Sequence, residues 1–175
     1  RHTNNNKKLK ALVTGSSRRI GAVIVKNLQA SGVDVGIHYN SSETEALALS
    51  NELNVLRPDS TAVFQADITD TDEANSLIHD FNSWAGGIDL LINNASSFYP
   101  TPIGTITDDQ WHDLMGSNLK GPLFITQAAS SALRKAKGSV INLIDIHTRS
   151  PLKNHPVYGS AKAGLKMLTR SLAKD

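Results

Sequence analysis

The chain has 175 residues, 39% of them hydrophobic, which is enough to bury the core of one domain. Its 18 basic and 16 acidic residues leave a net charge of +2, so nothing electrostatic points to a nucleic acid or a membrane as partner. The absence of cysteine excludes a disulfide framework and a cysteine-ligated metal, and makes a reducing compartment, the cytoplasm, the expectation.

The start from Arg1 to Lys8 is polar and Asn-rich, without an apolar signal core. Leu9 to Val13 is a short apolar run ending in Thr14-Gly15, a strand and its turn. Arg19 to Ala30 sets Ile20, Val23, Ile24 and Leu28 at helical spacing, closed by Ser31-Gly32. Val33 to Tyr39 is a second strand, Glu43 to Asn54 a helix, and Thr61 to Ala66 a third strand. Thr71 to Trp84 is helical and closed by Gly86-Gly87; Ile88 to Ile92 is a fourth strand, apolar enough to be covered on both faces. Thr107 to Lys135 is helical, opened by Asp108-Asp109, whose charges suit a helix N-terminus, with a break expected near Gly121-Pro122. A fifth strand, Ser139 to Ile144, precedes a last helix from Tyr158 to Ala173. Apolar runs such as Leu90 to Ile92 and Val140 to Ile144 are too short to cross a bilayer. The chain lacks an initiator Met and stops at Asp175 within a helical pattern, so a trimmed or partial chain is expected.

Strand and helix alternating in this way predict an α/β fold, a doubly wound parallel sheet between two helical layers (α/β/α), as one domain over 1–175. Such sheets bind ligands beyond the carboxyl ends of their strands, where the strand order reverses.

The first of these ends carries Thr14-Gly15-Ser16-Ser17-Arg18-Arg19-Ile20-Gly21. Gly15 permits a tight turn and Gly21 a close approach of helix to sheet. The amides between them, Ser17 and Ile20 included, sit at a helix N-terminus that attracts a pyrophosphate. Arg19 stands where a middle glycine is often found, and its guanidinium suits a phosphate; Arg18 reads either as a second contact or as solvated surface. The second strand ends His38-Tyr39-Asn40-Ser41-Ser42, without the carboxylate that takes a ribose 2′-hydroxyl in NAD enzymes. Amides and hydroxyls tolerate a 2′-phosphate, which favours NADPH. Asp67, followed by Ile68, either accepts from an adenine amino group or caps the next helix.

On the last helix, Tyr158-Gly159-Ser160-Ala161-Lys162 puts a phenol and an ammonium on one face. A phenol titrates near pH 10, about three units too high for easy acid-base work, and a neighbouring cation lowers that value. His112, His147 and His155 share no acid cluster at metal-ligand spacing, so they read as solvated or loop histidines and no metal is expected.

Thr14 to Gly21, Asn93-Asn94-Ala95, Asn118, Tyr158 and Lys162 together resemble the short-chain dehydrogenase/reductase family, with its Rossmann-type sheet, over Lys8 to Asp175. The pteridine reductase branch is most similar, through Arg19, Asn93 to Pro100, and Asp145. The resemblance implies Tyr158 as proton donor and Lys162 as the group that binds the nicotinamide ribose and lowers the phenol's pKa. It implies Asn118 as holder of an active-site water and of helix geometry. It places Asn93, Asn94, Ala95 and Ser96 along NADPH, which Tyr158 and Lys162 also touch, with Asp67 and Ile68 at its adenine and Tyr39, Asn40, Ser41 and Ser42 near its 2′-phosphate. Phe98 would stack on a flat pterin or pack within its own loop, with Ser96 and Arg19 as polar contacts to that substrate.

Asp145 stands where most of the family has serine. A carboxylate opposes the oxyanion of ketone reduction but assists protonation of a ring nitrogen, so the implied reaction is reduction of a C=N bond in a dihydropterin or dihydrofolate. Reduction of a sugar or 3-oxoacyl carbonyl, and a non-catalytic NADP-binding sensor, are the alternatives. Relatives continue with two further strands and a substrate lid, so the C-terminal part of the family fold is expected to be missing. They commonly form homotetramers through the two long helices.

Overall fold

Five parallel strands stand in the order β3-β2-β1-β4-β5 in the computed structural model, which describes residues 7–175. The polar stretch that begins at Arg1 lies outside the described residues as far as position 6. The strands are β1 (Lys10–Val13), β2 (Asp34–Tyr39), β3 (Thr61–Gln65), β4 (Leu90–Asn93) and β5 (Ser139–Asn142). Between them run α1 (Arg19–Ala30), α2 (Glu43–Leu56), α3 (Thr71–Ala85), α4 (Asp108–Met115) and α5 (Gly121–Ala136); α6 (Pro156–Leu172) closes the order. This is the Rossmann-type α/β/α arrangement, in which β1 lies between β2 and β4 and the chain reverses direction across the sheet.

Alternation along β1 builds both cores at once. Ala11 and Val13 face α1 and α2, packing with Val25, Ala46, Leu49 and Leu53. Leu12, on the opposite face, packs with Leu77, Ile78 and Phe81 of α3 and with Ile125 and Ala129 of α5. The helix starts follow local chemistry. Asp70 caps α3 by accepting from the Glu73 amide, and Thr107 with Gln110 forms a capping box on α4, whose first turn holds Asp108 and Asp109.

No break occurs at Gly121-Pro122. The backbone stays helical from α4 into α5 but widens into a π turn over Gly116–Lys120, where the Gly121 amide donates to the Gly116 carbonyl five residues back. Pro122 has no amide to donate to Asn118, so the ladder is adjusted upstream of the proline and the helix need not end. The fifth strand also stops earlier than its apolar run. Leu143 still donates to Asn93, but its carbonyl turns to the Lys162 ammonium. Among the described residues, no helix is long and apolar enough to cross a membrane.

Candidate active site

Gly15 follows β1 in the left-handed region, φ 57°, and a Cβ there would sit 2.7 Å from the Ala95 Cα. That contact, a turn pressed against the β4 end, explains why the position is glycine. The Thr14 hydroxyl accepts the amides of Asn94 and Ala95, both at 3.0 Å, and Asn94 Nδ2 returns bonds to the carbonyls of Thr14 (3.2 Å) and Gly15 (2.9 Å). Gly21 lies so close beneath that its missing Cβ would be 2.7 Å from Asn94 Nδ2. Arg19 also has positive φ, 55°. A non-glycine residue is strained there, which is the physical reason glycine suits the position. No side chain caps α1 and its first turn holds no acid, so its amides are open to an anionic ligand.

A cleft of about 550 Å³ opens over this N-terminus. It gathers Gly15, Ser17, Arg19, Ile20 and Gly21 from the loop, and Tyr39, Asn40, Ser41 and Ser42 from the β2 end. Asp67 and Ile68 enter it after β3, and Asn94, Ala95 and Ser96 after β4. Asp67 is not a helix cap: its Oδ1 accepts from the amide and hydroxyl of Thr69, and Asp70 does the capping. Arg18 lines the same cleft, exposed like Arg19. An elongated, phosphate-bearing dinucleotide fits these residues, with the uncapped helix under its pyrophosphate and amide and hydroxyl groups at the β2 end.

Tyr158, Lys162, Asn118, Phe98 and Asp145 do not line that cleft. Tyr158 and Lys162 are buried on α6, each 5% exposed. The Tyr158 phenol donates to Asp145 Oδ2 at 2.7 Å, and Asp145 Oδ1 accepts the His147 amide at 2.9 Å. Asp145 is thus a turn residue and the partner of the phenol at once. Lys162 gives its ammonium to the Leu143 carbonyl at 3.1 Å. The expected lowering of the phenol's pKa by Lys162 is therefore corrected. Burial first, and then the Asp145 carboxylate, push Tyr158 well above 10, while burial pulls Lys162 below its ordinary 10.5 against the pull of Asp145. The bond from the His147 amide, followed by that from Tyr158, holds Asp145 below 3.8.

Asn118 sits in the π turn, fully buried, with Nδ2 bonded to the carbonyls of Ser97 and Leu114, both at 2.9 Å. Its Oδ1 finds no partner among the described residues, an acceptor left over for a water or ligand. Asn93 turns away from the cleft: its Nδ2 donates to Asn142 Oδ1 at 2.8 Å, tying β4 to β5. Phe98, 57% exposed, meets Tyr158 edge-on with ring centroids 4.8 Å apart. His155 lies parallel to it at 4.8 Å and 17°, so this histidine is more than loop solvation. Among the described residues no group of three or more potential ligands is placed to hold a metal ion.

Thr14, first residue of the loop motif, knits the β1 and β4 ends together. Spacing gave no sign of two further residues: the His38 side chain holds the Gly15 amide, and Asp113 accepts from Ser97 Oγ (3.1 Å) and Tyr99 Oη (2.8 Å), the two neighbours of Phe98. Burial and Asp113 raise the Tyr99 phenol to about 12. For Asp113 the only available signal was its place on the helix that follows the loop.

The fold, the glycine turn under an open helix end, and the buried phenol and ammonium set four residues apart on α6 define an oxidoreductase. The chain matches the short chain dehydrogenase family over residues 9–175 and belongs to it. It is similar to pteridine reductase 1 of Leishmania tarentolae, 33% identical over 204 aligned residues that take in 94% of this chain and 70% of that protein. It is also similar to the 3-oxoacyl-(acyl-carrier-protein) reductase FabG of Staphylococcus aureus, 34% identical over 166 residues, 94% of this chain and 67% of the relative. Members of the family bind NAD or NADP, and the chain is an oxidoreductase of this family.

Proposed function

We propose that the protein reduces a C=N bond of a dihydropterin or dihydrofolate with NADPH. The observation that carries this reading is the 2.7 Å bond from Tyr158 to Asp145, a carboxylate set against the proton-donating phenol. When bound, the nicotinamide supplies the hydride that reduces the ring carbon. Tyr158 holds the proton that passes from its Oη to the ring nitrogen, and burial beside Asp145 keeps that phenol undissociated at neutral pH. Asp145, hydrogen-bonded to the phenol, assists this transfer and repels a developing oxyanion, which disfavours ketones. Phe98, exposed and flat, offers a surface for the heterocycle, with Ser96 and Arg19 as polar contacts. Lys162 takes the nicotinamide ribose, and the free Asn118 oxygen holds a water at the bulged helix. The β2 end, Tyr39 to Ser42, has no carboxylate at its tip, which supports NADPH over NADH.

Carbonyl reduction is the second reading, favoured by the equal similarity to the 3-oxoacyl reductase. NADPH oxidation by the intact protein, compared on dihydropterins, dihydrofolate and ketones, decides between them. Good ketone turnover with none on pterins overturns the first. We also propose a cytoplasmic homotetramer joined through α5 and α6, which light scattering of the intact protein tests.

A further inference from the structure

The geometry points to His38 as a positioning residue for the cofactor, one that holds the phosphate loop in its binding shape only while its imidazole is neutral. His38 sits at the end of β2 and is 2% exposed. Its Nδ1 accepts the Gly15 amide at 2.9 Å, and its Nε2 lies 2.8 Å from the Ala66 carbonyl. Those partners settle the tautomer: an amide can only donate and a carbonyl only accept, so Nδ1 is bare and Nε2 carries the hydrogen. Its own backbone adds two bonds, from the His38 amide to Ser16 Oγ (3.2 Å) and from the Ser16 amide to the His38 carbonyl (2.9 Å). One side chain thus bridges the turn after β1 to the end of β3, and the residue it grips is Gly15, whose left-handed backbone aims the amides that follow.

Protonation would put a hydrogen on Nδ1, facing the Gly15 N–H, and the bond would become a clash of two donors. His38 and Gly15 both border the cleft, so the loss falls at the loop end of the site. The surrounding charges are mixed. Asp67, beyond β3, favours the cation; Arg18 and Arg19 of the loop oppose it across the same cleft, which Asp113 also borders. Phe64, the neighbour of His38 on β3, and Ser16 bring no charge. Burial outweighs Asp67 and keeps the ring neutral, below its ordinary 6.5.

The inference rests on reading the cleft as a dinucleotide site and is independent of the substrate. Its test is the dissociation constant for NADH, whose lack of a 2′-phosphate removes that group's own titration, followed in the intact protein from about pH 8 down to about pH 5. The unaltered protein should lose affinity as pH falls, toward a limit of about tenfold per pH unit once the imidazole titrates. His38→Gln, whose amide keeps one acceptor and one donor, should bind with a flat pH profile, and His38→Leu should bind roughly tenfold more weakly near neutral pH. Hydrogen exchange of the Gly15 amide in the unaltered protein gives a reading that needs no variant: its protection, taken against the intrinsic exchange rate at the same pH, should fall over the same acid range. Unaltered NADH affinity in His38→Leu, or a Gly15 amide equally protected throughout, overturns the role of His38 alone. Absence of any binding of both NADH and NADPH overturns the cleft reading with it.

Discussion

The Tyr158 phenol and the Asp145 carboxylate, 2.7 Å apart, join the last helix to the turn after β5 and set each other's protonation in opposite directions. Replacing the carboxylate should reduce one of those shifts. In Asp145→Asn, ultraviolet titration of Tyr158 should show a pKa nearer 10, since the carboxylate's contribution is gone and only burial remains. Pterin turnover should fall at least about tenfold, and Asp145→Ser should gain ketone turnover. A Tyr158 titration identical in the two proteins would sink the account of this pair.

Arg19 predicts a trade between stability and binding. Its φ of 55° costs about 1 kcal/mol, so Arg19→Gly should be more thermally stable. The same change removes a guanidinium from the cleft, so NADPH should bind less tightly, and the weakening should shrink as salt is added. Calorimetric melting and titration calorimetry read the two effects separately.

At the foot of the sheet, Asp34 is 3% exposed and holds Arg57 at 2.6 Å, Lys10 at 2.7 Å and Lys8 at 3.1 Å. Burial raises its pKa, but the bonds from Lys10, Arg57 and Lys8 together prevail and hold it below 3.8. In the unfolded chain the group returns to about 3.9. Its stabilisation is therefore complete above that value and is lost as pH falls through the lower folded one. Asp34→Asn should cost roughly 2 kcal/mol at neutral pH and flatten the acid limb of stability, as urea midpoints measured against pH would show.

Asp113 grips both neighbours of Phe98, through Ser97 and Tyr99. Tyr99→Phe removes one of these bonds and should loosen the aromatic platform by about 1 kcal/mol. The expected signature is a several-fold rise in KM for the flat substrate with little change in kcat, and no change in NADPH affinity. Equal KM values would show that Phe98 is held without Asp113.

The strand and helix order was legible because the elements bury either a periodic face, as α1 and α3 do, or a short continuous apolar run, as β4 does, and both are local properties of sequence. The phosphate loop was legible for a similar reason: Gly15, Arg19 and Gly21 lie within one turn and its helix. His38 escaped notice because its meaning lies in Gly15 and Ala66, 23 and 28 residues away. Asp113 depends likewise on distant partners. The pKa of Tyr158 was misjudged for a related reason. The four-residue spacing to Lys162 is visible in sequence, whereas the bond to Asp145 across 13 residues and the bond of Lys162 to the Leu143 carbonyl are not.

The π turn over Gly116–Lys120 has the form left by one surplus residue in an otherwise regular helix. Removing a residue there would restore α-helical bonding and make a sounder rod. It would also rotate everything on one side of the deletion by about 100° relative to the other, carrying Asn118 out of register with either Ser97 or α5. The contacts of the Asn118 amide with Ser97 and Leu114 are therefore bound to the wider turn: the irregularity in the helix is what aims the side chain.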